Sequence, residues 1–466
     1  MTPDAPAGTV PGRWTPPARL ARAPRPSAAA AAGAAAARRW RAYAGLLLLV
    51  FFARIFDLLH YPPLSAVQVP AAAGEGDVIN QAMTLLLAGA AIPLALRNRR
   101  RLKTALVGLW PLLLLEAWCW TSVSWAIVPE IALRRVAFST LVVWIVCVGV
   151  VELRSPKAVL GLVMTASGLA VAADWALFVL VPSMAVHGPD ILGIHASKND
   201  AGAVALAATI AWTAGAFGAR GPVRRLFRAA VALAALGFLA LCESRTSLIV
   251  LLLSVGVAGL VRHGLRLGRR YFALVAPLAA AIGALAALPF AFLPVGEIFR
   301  TLFGDPTFTG RTDIWAFVLG VARDSPWTGV GYGSLWNVGP EGIDVQRGYG
   351  VVLQVAEGHS GYFDLMATTG CVGLALGAAT LAWPFVRLFA RGAEAPFRGA
   401  ESWGAAAMIA FLAAAVFHNL TESSLFRGAG PAWVLALAAM TALAFAAPAR
   451  GRSGPGAARA ACAASP

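Results

Sequence analysis

The chain has 466 residues, of which 59% are hydrophobic and only 13% are charged. Soluble proteins contain about 25% charged residues, and so apolar a chain cannot hide its hydrophobic surface in one water-soluble core. The five cysteines are an odd number scattered among apolar segments, which excludes a secreted disulfide-stabilised domain. The net charge of +16 does not indicate a nucleic-acid partner, because the basic residues form short clusters between apolar segments. These features predict a multi-spanning membrane protein.

The N-terminal segment, residues 1–42, is rich in Pro, Ala and Arg, and Asp4 is its only acid. This composition predicts a disordered basic tail, and residues 449–466 are predicted to form a second cytoplasmic tail. The Arg-rich start resembles a transit peptide, and residues 46–52 resemble the apolar part of a signal peptide. Because no small-residue cleavage site follows, we expect an uncleaved cytoplasmic N-terminus.

Apolar segments long enough to cross a bilayer recur along the chain, since a transmembrane helix needs about 20 mostly apolar residues. The sequence predicts an all-α fold with about 12 transmembrane helices. Helices 1–9 are expected within residues 43–293 and helices 10–12 within residues 360–448. The predicted spans are 43–60, 78–96, 104–122, 135–151, 158–181, 200–218, 229–242, 247–261, 271–293, 360–386, 401–418 and 431–448.

Positive charge falls mostly in alternate loops, as expected when Lys and Arg are retained in the cytoplasm. The predicted inner loops are 97–103, 152–157, 219–228, 262–270 and 387–400. The short outer loops contain Lys198, Arg245 and Arg427 and, at the edge of one span, Arg134 and Arg135. Both termini are therefore expected in the cytoplasm. Residues 294–359 form one long outer loop, a length that usually indicates a functional segment.

Short helices are expected within this outer loop. Apolar residues recur at helical spacing over 311–323, with Thr312 or Asp313 as the predicted N-cap. Pro326 should end the helix, which is too short to span and is expected to lie along the membrane surface. The Gly-rich residues 329–333 lack the strand–helix context of a dinucleotide site, so they are predicted to form a turn.

Five polar clusters fall on the predicted outer face: 195–199, 243–246, 310–313, 358–361 and 419–424. Polar groups at membrane depth are costly and usually line a cavity or a pathway. Interfacial snorkelling and helix capping would also explain any one cluster alone. The set of five on one face favours a functional site.

Two arginines and one histidine in these clusters predict a chemistry. Arg245 can bind two phosphate oxygens with its guanidinium fork, and Arg311 would do so at a helix start, where backbone N–H groups also attract anions. His359 can take a proton from a hydroxyl near neutral pH. Glu422 is either a second acid–base group or the residue that holds an arginine in place.

Weaker candidates lie elsewhere. His195, Lys198 and Asn199 could bind substrate, or Lys198 and Asn199 could simply cap the sixth span. Glu75 and Asp77 could hold a metal ion, although two carboxylates make a poor site and a solvated acidic loop also explains them.

The ordered motifs resemble the O-antigen ligase and O-antigen polymerase superfamily, including exopolysaccharide polymerases, over roughly residues 105–445. Residues 120–125 with Pro129 and the Arg134–Arg135 pair are similar to the early loop of the family. Glu-Ser-Arg-Thr at 243–246, Gly-Arg-Thr-Asp-Ile-Trp at 310–315, the 329–331 turn and His359 are similar to its core pattern. The clusters at 195–199 and 419–423 resemble the polymerase branch, although His195 is not adjacent to Lys198 as in the family pattern.

This resemblance implies roles for Arg245, Arg311 and His359. In the family, two outer-face arginines bind a lipid-linked diphosphate and a histidine activates the acceptor hydroxyl. We therefore expect a metal-independent, inverting glycosyltransferase without a cofactor, in the bacterial inner membrane and with its active site facing the periplasm. A base opposite the leaving group accounts for the inversion, and two arginines can stabilise the departing diphosphate without a metal.

The expected partners are a polyprenyl-diphosphate-linked glycan donor, a glycan or lipid-A core acceptor and the lipid bilayer. Chain-length regulators or export proteins are further candidate partners. Two alternatives stay open. A secondary transporter would use Asp174 and Asp364 inside spans, but no internal repeat is evident. A metal-dependent lipid-sugar glycosyltransferase would use Glu75 and Asp77.

Overall fold

A computed structural model of the chain describes residues 27–59, 78–267, 310–391 and 401–445. These residues are mostly helical, which agrees with the predicted all-α class. Two short strands, β1 (Val186–His187) and β2 (Asp190–Ile191), pair antiparallel between two helices. The first α-helices in chain order are α1 (Ala28–Ile55), α2 (Val78–Gly108), α3 (Trp110–Ser122), α4 (Pro129–Leu153), α5 (Pro156–Leu180), α6 (Pro182–Ala185), α7 (Lys198–Phe217) and α8 (Pro222–Leu241). The remaining described α-helices are α9 (Arg245–Leu267), α10 (Arg311–Asp324), α11 (Ile343–Arg347), α12 (Gly361–Arg391), α13 (Ser402–His418) and α14 (Pro431–Phe445), and two 3-10 helices cover Val123–Trp125 and Gly350–Gln354.

Six helices in the described part of the chain are long and apolar enough to cross a membrane: α2, α4, α5, α7, α9 and α12. The apolar helices α13 and α14 are shorter. These helices indicate a multi-pass membrane protein. The ninth predicted span, 271–293, lies outside the described residues, and the total of about 12 spans stays a prediction.

The predicted inner loop at 97–103 contains a break between helices. Helix α2 consists of two helices that meet at a kink at Asn98, whose φ of −105° and ψ of 18° lie outside helical geometry. The predicted disordered tail is partly helical, because residues from Ala28 onward form the start of α1. A long Ala run there favours a helix. The disorder predicted for residues 1–42 was therefore wrong from Ala28 onward.

The predicted helix over 311–323 is confirmed, because α10 runs from Arg311 to Asp324 and ends just before Pro326. The predicted N-cap was wrong: Gly310 occupies that position, with a left-handed φ of 79° that glycine adopts without strain. The buried face of α10 packs against a segment after the helix and against α12. The buried residues in this cluster are Ile314, Phe317, Val318, Val321, Ala322, Leu335, Trp336, Val352 and Ala367.

The Gly-rich turn over 329–333 is also confirmed and lies against α12. Val330 and Gly331 donate backbone hydrogen bonds to the carbonyls of Ala367 (3.0 Å) and Thr368 (2.9 Å). Gly329 has a φ of 65°, and a β-carbon there would collide with the Thr368 backbone. Arg135 holds the residues that follow the turn, donating to the carbonyls of Gly333, Trp336 (2.8 Å) and Asn337 (3.1 Å). The segment at 329–337 is thus fixed to α4 and α12.

Candidate functional site

Three of the predicted site residues meet where α10 and α12 begin, beside the connection between α13 and α14. The Nη2 atom of Arg311 lies 2.6 Å from Oε1 of Glu422. The second carboxylate oxygen of Glu422, Oε2, lies 3.5 Å from Nδ1 of His359. The side chains of Arg311 and Glu422 are only 11% and 6% exposed, so this ion pair is largely shielded from water.

Backbone contacts fix His359 beside Glu422. The N–H of Gly361 donates to the carbonyls of Asn419 (3.0 Å) and Glu422 (2.9 Å), and the N–H of Ser360 donates to Oγ of Ser423 (3.0 Å). The two segments therefore lie side by side although about 60 residues separate them in sequence.

His359 itself has a left-handed backbone conformation, with a φ of 47°. Such a conformation is uncommon for residues other than glycine and persists only where the surroundings impose it. Asp364 supplies part of that constraint, because its Oδ2 accepts from the N–H of Gly358 at 3.0 Å and its Oδ1 accepts from Nε1 of Trp336 at 2.8 Å. The backbone is thus held by hydrogen bonds on both sides of His359.

A second carboxylate, Glu357, also faces the imidazole. Its Oε1 lies 3.4 Å from Nδ1 of His359, and its Oε2 lies 2.9 Å from Nη1 of Arg427. Arg427 is one of the cations predicted in the short outer loops, whereas Glu357 was not predicted, since its only signal is its position two residues before His359. Two carboxylates and two arginines therefore surround one imidazole.

The two carboxylates differ electrostatically. Burial raises the pKa of Glu422, but the hydrogen bond with His359 and the charge of Arg311 outweigh burial and lower its pKa overall. Burial also raises the pKa of Glu357, and there the opposing charges of Arg427 and His359 are not sufficient to reverse the shift. Glu422 therefore stays ionised, which suits a residue that orients the histidine and holds Arg311.

Arg245 is exposed at the first position of α9, next to the same connection. Its neighbour Thr246 has its hydroxyl 3.4 Å from the hydroxyl of Thr421, the residue before Glu422. The preceding residue, Glu243, has a left-handed φ of 51°, and its carbonyl accepts from the N–H of Arg245 at 2.9 Å. The structure thus brings the 243–246 motif alongside the motif that contains Glu422.

Lys198 and Asn199 lie in the first turn of α7, where Ser197 is the N-cap and its hydroxyl accepts from the N–H of Asp200 at 3.1 Å. The ammonium group of Lys198 lies 2.9 Å from the carboxylate of Asp190 in β2. Capping is therefore the role of Ser197, and Lys198 and Asn199 stay candidate substrate-binding residues.

His195 is buried and faces a carboxylate with each ring nitrogen. Nδ1 lies 2.8 Å from Asp57 and Nε2 lies 3.4 Å from Asp174, which also accepts from the N–H of Ile194 at 3.0 Å. Burial alone would lower the pKa of His195, but the two carboxylates outweigh burial and raise it to about 9. The charged imidazole therefore links the end of α1, helix α5 and the segment before α7.

We expect this link to make the protein less stable in alkali. Because the folded pKa of about 9 exceeds the ordinary value of 6.5, the stabilisation is complete below pH 6.5 and is lost as the pH rises through 9. The shift corresponds to roughly 3 kcal/mol. Thermal unfolding in detergent between pH 6 and 10 should show a loss in the wild type and a flatter profile in His195→Gln. Identical pH profiles for the two proteins would contradict the charged link.

One group in the described part of the chain could hold a metal ion. Glu357, His359 and Glu422 each offer one ligand atom, and these atoms lie within 4.8 Å of one another. Arg311 and Arg427 contact the other oxygens of the two carboxylates, so positive charge is already present there. Glu75 and Asp77, the metal ligands considered from sequence, lie outside the described residues.

Comparison with known proteins matches one segment of the chain to a family. Residues 229–377 fit the family described as O-antigen ligase, and this segment includes Arg245, Arg311, Glu357, His359 and Asp364. No curated protein matches the chain. For residues 229–377, this match confirms the predicted resemblance to the O-antigen ligase and polymerase superfamily.

Proposed function

We propose that the protein transfers a glycan from a polyprenyl-diphosphate donor to an acceptor hydroxyl on the periplasmic face of the bacterial inner membrane. The observation that supports this best is the contact of Glu422 with both Arg311 and His359. It puts a group that can bind phosphate next to a group that can accept a proton.

In the proposed mechanism, Arg245 and Arg311 bind the diphosphate of the donor. The acceptor hydroxyl loses its proton to Nε2 of His359, since Nδ1 faces the two carboxylates. The hydroxyl oxygen attacks the anomeric carbon, and the bond from that carbon to the diphosphate oxygen breaks with its electron pair on the diphosphate. Attack opposite the leaving group inverts the anomeric configuration.

The charged residues Arg245, Arg311 and Glu422 each have a role in this reaction. The two guanidinium groups stabilise the negative charge that builds on the departing diphosphate. The ionised Glu422 stabilises the imidazolium that forms at His359, as an orienting carboxylate does for a catalytic histidine. Asp174 and Asp364, which a transporter would use inside its spans, instead contact His195 and the backbone next to His359.

Polymerase and ligase share this donor chemistry and differ in the acceptor, which is a lipid-linked glycan for the first and a lipid-A core for the second. The surface polysaccharide of a deletion strain separates them. Loss of long chains with single repeats retained would indicate a polymerase, and long chains accumulating on the carrier lipid would indicate a ligase. Arg311→Ala should fail to complement either defect, and an unchanged polysaccharide profile would contradict the proposed function.

We expect turnover to be independent of metal, since two arginines can supply the electrostatic stabilisation. The purified protein should keep its activity in excess EDTA. Inactivation that Mg²⁺ or Mn²⁺ reverses would contradict this expectation and would indicate that Glu357, His359 and Glu422 bind a metal. The activity of Glu357→Gln checks whether a metal is bound there, because this variant loses one of the three possible ligands and keeps both arginines.

A further inference from the structure

His418, the last residue of α13, is a buried histidine that the proposed mechanism does not use. Its relative exposure is 5%, and both ring nitrogens are shielded from solvent. Neither nitrogen has a hydrogen-bond partner among the residues that the structure describes. An imidazole always has at least one N–H to donate, so burial without a partner is unfavourable.

The surroundings of His418 differ from those of His195. Both histidines are buried, yet His195 has a carboxylate opposite each ring nitrogen. Nearly all buried polar groups in proteins are hydrogen-bonded, and an exception calls for an explanation such as a catalytic role or a bound ion. In the described part of the chain, His418 is the buried side chain with two such atoms, which makes it a candidate for a partner from outside the chain.

The position of His418 indicates what that partner could be. The N–H groups of Glu422 and Thr421 donate to the His418 carbonyl at 3.0 and 3.2 Å, so the imidazole belongs to the turn that leads into Glu422. The charges of both Glu422 and Arg311 act on the ring. The next residue, Asn419, accepts from the N–H of Gly361 at 3.0 Å, beside the start of α12. His418 thus lies one backbone turn before Glu422, the carboxylate that pairs with Arg311.

We propose that His418 donates a hydrogen bond to a phosphate oxygen of the donor and so provides a third contact to the diphosphate, after Arg245 and Arg311. This inference rests on the proposed function. A diphosphate that reaches Arg311 brings several strong acceptors next to the imidazole, and its charge favours a protonated ring. Because the His418 ring gives up no described hydrogen bond within the protein, the free energy of the new hydrogen bond would contribute fully to donor binding.

Two measurements on His418→Leu test this proposal together. Leucine removes the unpartnered polar group but keeps an apolar side chain, so the unliganded variant should melt in detergent at the wild-type temperature or higher. Its affinity for a short-chain polyprenyl diphosphate should fall roughly 10- to 100-fold, the range expected for a lost hydrogen bond to a charged group. His418→Gln, which retains an N–H, should keep part of that affinity.

His195→Leu is the matched control for stability. It leaves Asp57 and Asp174 without their imidazole and should lower the melting temperature clearly. A similar drop in His418→Leu and His418→Gln would show that His418 has a structural partner and would overturn the proposal. Wild-type affinity in a stable His418→Leu would also overturn it, without affecting the proposed function. If the wild-type protein itself does not bind the diphosphate lipid, the proposed function fails together with this inference.

Discussion

Arg311→Ala and Arg245→Ala should each abolish glycan transfer while the amount of protein in the membrane stays close to that of the wild type. Each substitution removes a guanidinium that can bind two phosphate oxygens at once, and the departing diphosphate then loses its electrostatic stabilisation. Lysine should not restore full activity at either position, because an ammonium cannot form the two parallel bonds. Transfer measured with equal amounts of purified variant gives the comparison.

Arg323 offers a matched control because it is exposed in the last turn of the same helix as Arg311. Arg323→Ala should transfer glycan at the wild-type rate. Since Arg311 also neutralises Glu422, its loss leaves a buried carboxylate without a counter-charge. The double variant Arg311→Ala/Glu422→Gln removes that complication. Activity restored in the double variant would show that Arg311 only neutralises Glu422, and full activity in Arg311→Lys would exclude the forked contact.

His359→Ala should reduce turnover by roughly 10²- to 10⁴-fold, the range for loss of a general base. Donor affinity should stay close to that of the wild type, because the arginines that bind the diphosphate are unchanged. Wild-type activity should also fall on acidification, since a protonated imidazole cannot accept the acceptor proton. The opposing interpretation makes His359 a cation that binds phosphate, and it predicts weaker donor binding in the variant and a rise in activity on acidification.

The contribution of the neighbouring carboxylates to this pH profile can be distinguished from that of His359. Glu422 has a lowered pKa, so its ionisation changes only at more acidic pH than that of an ordinary glutamate. Glu357 has a raised pKa, and Glu357→Gln removes its titration. If His359 is the base, the acidic decline should persist in Glu357→Gln. Unchanged turnover in His359→Ala would contradict a base role for His359 and would leave Glu422 and Asp364 as the candidate bases.

Part of the grouping of the candidate site could be predicted from sequence. The distribution of charge between spans predicts Arg245, Arg311 and His359 on one face, and the structure brings Arg311 and His359 to the same carboxylate. The end of α10 and the turn at 329–333 followed from proline and glycine, whose backbone preferences are local.

The contacts that depend on the packing of distant helices could not be predicted. His195 meets Asp57 across 138 residues, and no periodicity of either segment indicates that pairing. That the His418 ring has no hydrogen-bond partner among the described residues likewise becomes visible only in the folded structure. The start of α1 was missed for a different reason, because helix propensity extends an apolar helix into an Ala-rich flank.

In the proposed function, the protein breaks the bond between a glycan and a polyprenyl diphosphate while forming a glycosidic bond. Purified protein reconstituted in liposomes with a lipid-linked oligosaccharide donor and an acceptor glycan allows both products to be counted. We expect one free polyprenyl diphosphate for each new glycosidic bond, in EDTA, with inverted anomeric configuration and with no release by Arg311→Ala. Glycan accumulating inside the vesicles with its lipid-linked donor intact would contradict glycan transfer and indicate a transporter.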